Sequence, residues 1–162
     1  MIANGMVISR LIYLIQLWGG CPGYLLNFLQ VLQNRAAHLV CNEGKFTPIK
    51  TLLENCGWLS VRQLVAFHRV LLVFKIRQEG KPKYFVGKFT NNSNYKTRFL
   101  DAGGIKKEKI LQLSVSKQSF VPSSIDVWNN LPLHLREAEN VKSFKKLLKP
   151  WIKNMKNHHQ EK

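Results

Sequence analysis

The chain has 162 residues, 45% of them hydrophobic and 10% aromatic, which is enough apolar material for a core and excludes global disorder. Lysine and arginine number 25 against 9 aspartates and glutamates, a net charge of +16 with a pI near 10.1. That balance disfavours a free small-molecule enzyme and favours a polyanionic partner, nucleic acid before an anionic membrane. The charge is uneven. Residues 1–44 hold only Arg10, Arg35 and Glu43, so nearly all of the excess falls in residues 45–162.

Leu11 to Asn34 carries no charge. Gly19, Gly20, Pro22 and Gly23 interrupt it, and its leading apolar block, Leu11–Trp18, is far short of the ~20 residues of a spanning helix. The start, Met1-Ile2-Ala3-Asn4-Gly5, lacks the basic head of a signal peptide. Two buried helices joined by a tight turn are therefore expected, and no membrane partner. The first runs from about Val7 to Trp18, with Ile8, Leu11, Ile12 and Ile15 inward. The second runs from about Tyr24 to Cys41, its stripe Leu25, Phe28, Leu29, Leu32, Ala36, Leu39 and Val40 following helical spacing. Cys21, Cys41 and Cys56 are an odd, widely spaced set; they read as small buried thiols in a reducing compartment, not as a disulfide framework or a zinc site.

Thr47-Pro48 predicts a helix start, with the hydroxyl as N-cap, and Gly57 suits the left-handed position after the helix. Ser60-Val61-Arg62-Gln63 is a capping box opening a helix to about Gln78, apolar round most of its circumference, with Arg62 and Arg69 marking the wet strip. Residues 79–118 read as an irregular basic region, with a turn at Gly80–Lys83 and a short strand, one arm of a hairpin, at Ile110–Val115. Pro122–Asn130 predicts a short helix with Ile125 and Trp128 inward. Asn140 caps a last helix carrying Val141, Phe144, Leu148, Trp151, Ile152 and Met155, kinked or broken at Pro150. The expected fold is mainly α: a helical region over residues 1–78, the irregular stretch 79–118, a helical region 119–157 and a frayed tail 158–162.

The catalytic inventory is thin. Asp101 and Asp126 stand alone, and Glu137 and Glu139 point to different sides of a helix, so neither a carboxylate dyad nor a Mg²⁺ cluster is expected. Cys56 or Ser60 with His68 is the remaining nucleophilic arrangement, with Ser60 better explained as a cap. The binding inventory is richer. Basic residues cluster at Lys75–Lys88, at Lys96 and Arg98, at Lys106, Lys107 and Lys109, and at Lys142, Lys145, Lys146 and Lys149, with Phe74, Tyr84, Phe85, Phe89 and Tyr95 interleaved in the first two. Cations neutralise phosphates and exposed rings stack on bases.

Gln33-Asn34-Arg35-Ala36-Ala37-His38-Leu39-Val40 resembles the helix that follows the polymerase core of non-LTR (LINE-type) retrotransposon reverse transcriptases. Trp18-Gly19-Gly20 is similar to the tryptophan-glycine before that helix. Cys56-Gly57-Trp58-Leu59-Ser60-Val61, Pro82-Lys83-Tyr84 and Tyr95-Lys96-Thr97-Arg98 resemble the elements that follow. Ser119-Phe120, Trp128-Asn129-Asn130-Leu131-Pro132 and Phe144–Lys149 resemble the closing series. The order is that of the family and covers nearly the whole chain. His38 stands where the family has arginine. The palm aspartates lie upstream of this region in the family and have no counterpart here.

The resemblance implies a thumb-like helical region with a C-terminal extension and no polymerase active site, as in a 5′-truncated copy opening at an internal methionine such as Met1 or Met6. Its implied partners are an RNA/DNA template–primer and the upstream polymerase region. It implies no cofactor of its own, since Mg²⁺ would belong to the palm, no small-molecule ligand, and an intracellular location, nuclear or cytoplasmic. Arg35, Arg62, Arg69, Lys75 and Arg77 are the expected phosphate contacts of the thumb, with Lys81, Lys83, Arg98, Lys106 and Lys107 beyond it. The competing readings are a helical protein–protein interaction module using the apolar front helices, and a hydrolase built on Cys56 or His68.

Overall fold

The computed structural model describes residues 4–44, 46–89, 97–107 and 119–155. The fold is mainly α, and no strand occurs among the described residues. The strand expected at Ile110–Val115 and the frayed tail at 158–162 lie outside them. The chain divides into two compact units, the first reaching Val65 and also taking in Met155, the second spanning Ala66–Asn154.

The first unit opens on a π-helical turn, Asn4–Ile8, then α1 (Ser9–Ile12) and α2 (Ile15–Trp18). The single helix expected here is interrupted: Leu14 adopts a left-handed conformation at φ 50°, and the Trp18 indole donates to the Tyr13 carbonyl across the break. The turn after α2 is set by a close approach. A Cβ on Gly19 would lie 2.8 Å from Val65 Cγ1.

Helix α3 spans Gly23–Cys41, close to the expected limits, but the opposite face is buried. Leu26, Gln33 and Ala37 face inward, whereas Leu25, Phe28, Leu32, Leu39 and Val40 are exposed, Phe28 at 62% and Leu39 at 84%. Polar side chains decide this. The Gln33 amide donates to the Leu59 carbonyl at 2.9 Å, and Gln30 Oε1 accepts from the Val61 amide at 2.8 Å. These bonds hold the α3 glutamines against the start of α5 and turn the leucine-rich stripe outward.

Helix α4 (Ile49–Asn55) packs on α3 through Leu52, in one cluster with Ala37 and Trp58. Its expected cap is not used, because Thr47 Oγ1 donates to Glu43 instead and Pro48 occupies the N-cap. Gly57 takes the expected left-handed position at φ 68°. Helix α5 (Val61–Glu79) opens on the expected reciprocal box: the Gln63 amide donates to Ser60 Oγ and the Ser60 amide to Gln63 Oε1. Its first turn belongs to the first unit and the rest to the second.

In the second unit, the described part of the expected irregular stretch contains two short helices, α6 (Lys83–Phe89) and α7 (Arg98–Asp101). Both are too short to show a hydrophobic period in the sequence. Helix α8 (Phe120–Asn129) buries Ile125 and Trp128, and the one-turn α9 (Leu133–Arg136) follows Pro132. Helix α10 (Val141–Asn154) is capped by Asn140, whose Oδ1 accepts from the Ser143 amide at 2.8 Å. It runs through Pro150 without a break. Phe144, Leu148 and Ile152 are fully buried on either side of the proline, and Pro150 itself is exposed, so packing holds the helix across the missing hydrogen bond.

The core of this unit centres on Trp128 and Phe144. Phe144 stacks on Phe74 of α5 at 4.0 Å between ring centroids, and the Trp128 indole donates to the Gly103 carbonyl at 2.9 Å. Arg136 donates to the carbonyls of Ala102, Asn129 and Leu131, which ties the segment before α8 to its end. Asn129 clamps Ile105 by accepting from its amide and donating to its carbonyl.

Candidate nucleic-acid interface

Helix α10 carries Lys142, Lys145, Lys146, Lys149 and Lys153 and no carboxylate. The spacing i, i+3, i+4, i+7, i+11 confines all five to an arc of about 100°. All five are exposed. The neighbouring face, Phe144, Leu148 and Ile152, is used by the core. The lysine row extends ~16 Å along the axis at 1.5 Å per residue.

Helix α5 adds to this field. His68 titrates below its ordinary value, chiefly because burial disfavours its charged form, then because Lys145 and Lys75 lie near it. Lys145 of α10 and Lys75 of α5 thus lie near the same half-buried imidazole. Neighbouring like charges disfavour one another in the free protein, and an anion seated among them relieves that cost.

The residues expected at phosphates are divided between the two units. Arg35 is exposed on α3, and Arg62 is half-buried and donates to Asn27 Oδ1 at 3.1 Å; both belong to the first unit. Arg69 is only 6% exposed and donates to Ser123 Oγ of α8 at 2.7 Å, so it is an interior residue and not part of a wet strip. Arg77 donates to the Phe89 carbonyl and lies 5.3 Å from the Trp128 ring centre; burial and Arg136 lower its pKa. Arg69 serves packing, whereas Arg77 stays exposed while bonded to the Phe89 carbonyl. Lys75 is half-buried beside His68.

Lys81, Lys83 and Arg98 are exposed at the starts of α6 and α7. Lys106 and Lys107 line a cavity of about 420 Å³ with Thr97, Phe99, Leu100, Ile105 and Asn129, and Lys107 pairs with Asp126. Lys96, Lys109 and Tyr95 lie outside the described residues. Lys142, Lys145, Lys146 and Lys149 stand out in the sequence as a cluster, but none is among the expected phosphate contacts; their exposure depends on the burial of Phe144, Leu148 and Ile152 on the neighbouring face.

The aromatics expected to interleave with the cations are largely spent on one another. Phe85, Phe89 and Phe120 form a cluster with centroid separations of 5.4 to 6.0 Å, while Tyr84 is exposed. The residues that carry the family resemblance also have structural work. Trp58 and Trp128 are core, Asn129 is the Ile105 clamp, and Thr97 Oγ1 caps α7 by accepting from the Leu100 amide.

The nucleophilic arrangement finds no support in Cys56. Its thiol is pushed up to about 11 by burial, then by the hydrogen bond and charge of Cys41, so it keeps its proton at neutral pH. No group of three or more metal-ligating side chains occurs among the described residues, and none of their helices is long and apolar enough to cross a membrane. No family model, curated protein or solved structure matches the chain.

Proposed function

We propose that the chain binds nucleic acid through the lysine face of α10, and that it is the C-terminal, post-palm part of a non-LTR retrotransposon reverse transcriptase, without polymerase activity of its own. The observation that carries the binding function is the single-sided row of five lysines on a helix whose apolar face is already buried. A basic amphipathic helix with a free apolar face would suit a membrane surface or a hydrophobic protein groove. Here Phe144, Leu148 and Ile152 are committed to the core, and the outward side is mainly charge, with Leu147 its one exposed large apolar side chain. Such a face suits a phosphate backbone, where lysines position the ligand without reading sequence. The parentage rests on the ordered motifs from Trp18 to Lys149.

A filter-binding titration at several salt concentrations tests the binding function. Five phosphate contacts give a fall of log K with log[salt] of slope about −4.5 for a duplex and about −3.5 for a single strand. A flat salt response, or no binding at low salt, contradicts it. The parentage is tested by translating the genomic sequence upstream of the first codon in all frames. An aromatic-x-Asp-Asp there supports it, and its absence from every frame contradicts it.

A second reading, a protein–protein interaction module, is favoured by the first unit. Tyr24, Leu25, Phe28, Val31, Leu32, Leu39 and Val40 leave most of one side of α3 apolar and exposed. In the parent enzyme this side would pack on the upstream polymerase region. Light scattering separates the readings: a defined oligomer that ignores nucleic acid favours the interaction module.

A further inference from the structure

Cys41 closes α3 and Cys56 follows α4, and their sulfurs lie 3.1 Å apart. That is about 1 Å beyond a covalent S–S bond of ~2.05 Å. Both belong to the first unit and pack on the same cluster of Ala37, Leu52 and Trp58. The helix ends that present them are fixed independently of the thiols. Asn42 terminates α3 in a left-handed conformation, its amide donating to the His38 carbonyl, and Gly57 does the same after α4, with Trp58 N–H donating to the Leu53 carbonyl at 2.8 Å. Both residues are half-buried. Cys21, also half-buried, follows α2 in the turn and serves as an internal comparison.

We propose that Cys41 and Cys56 are an oxidation-responsive thiol pair, closing to an intramolecular disulfide under a peroxide and tying the end of α3 to the end of α4. The steps balance with hydrogen peroxide as oxidant. One thiol is oxidised to a sulfenic acid, its sulfur taking one peroxide oxygen while the other leaves as water. The second sulfur then attacks the first, the S–O bond breaks, and the hydroxyl leaves as a second water with the proton of the attacking thiol. In sum, two thiols and one peroxide give one disulfide and two waters. A thiol-based reductant reverses the closure by exchange.

The surroundings set its rate. Cys56 keeps its proton at neutral pH, with a value pushed up to about 11, and the thiolate is the reacting form. Steps in which Cys56 attacks therefore quicken as pH rises. Closure constrains the unfolded chain across residues 41–56 and stabilises the first unit.

The test is to treat the full chain with hydrogen peroxide, block remaining thiols with an alkylating agent, and map the digest without reduction. The expected product is a monomer with a Cys41–Cys56 linked peptide lighter by two hydrogen atoms than its two unlinked halves, Cys21 alkylated, and a melting midpoint raised by roughly 10 °C and restored by dithiothreitol. Cys21→Ser leaves this result unchanged, and Cys56→Ser removes the link. Should Cys56→Ser fail to fold, the mapping of the unaltered chain still decides. A link to Cys21, dimers joined through Cys41 or Cys56, sulfinic or sulfonic acid in place of the link, or a link without a rise in the midpoint would overturn the proposal.

Discussion

Replacing Lys145, Lys146 and Lys149 by glutamine tests whether the α10 face makes the phosphate contacts. The three residues are exposed at the centre of the lysine row, and glutamine keeps the length and helix propensity of the side chain. Each contact on a duplex contributes ~0.9 to the salt slope, and at 0.1 M salt ~0.9 in log K, close to eightfold. The triple variant should thus lose about 500-fold in affinity at 0.1 M salt, and its slope should fall from about −4.5 to about −1.8. Stability sets the control. Exposed substitutions away from caps and core stay within about 0.5 kcal/mol each. The urea midpoint should therefore move little while binding collapses. Fluorescence anisotropy on a labelled duplex at four salt concentrations reads both quantities. An unchanged slope with the midpoint intact would refute the assignment of contacts to this face.

Phe144→Ala should destabilise the second unit by about 3–5 kcal/mol, because it removes the stack on Phe74 and the contact with Trp128 in one deletion; urea unfolding followed by far-UV circular dichroism checks this. Arg69→Met should lower stability while leaving the salt slope of nucleic-acid binding unchanged, since Arg69 is bonded to Ser123 in the interior; a lower slope would return it to the surface. The lowered pKa of His68 has a definite sign: its stabilising contribution is present above the ordinary value of 6.5 and is lost as pH falls through the depressed one. His68→Gln should accordingly flatten the acid limb of the stability profile, and an equally steep limb in the variant would contradict the burial of this imidazole beside Lys145 and Lys75.

The elements with strong local signals were legible in the sequence. The Ser60–Gln63 box, the Asn140 cap and Gly57 after α4 each rest on interactions within a few residues. What was misread depends on distant partners. The leucine stripe of α3 was expected inward because hydropathy ranks Leu39 and Phe28 above Gln33. The Gln33 and Gln30 amides instead found backbone groups at Leu59 and Val61, so the glutamine side was buried. Arg69 was placed on a wet strip for the same reason, its partner Ser123 lying 54 residues further on. The site was partly legible: the spacing of the α10 lysines is local, but the competing use of Arg69 and Arg77 by Ser123, Phe89 and Trp128 is tertiary.

Photocrosslinking of the chain to a duplex carrying a backbone-reactive group, followed by peptide mapping, tests the central claim most directly. Nucleic-acid contact through α10 predicts crosslinks concentrated on Lys142, Lys145, Lys146, Lys149 and Lys153, competed away by salt. Crosslinks that avoid Val141–Asn154 and fall instead on α3 or on the starts of α6 and α7 would contradict it.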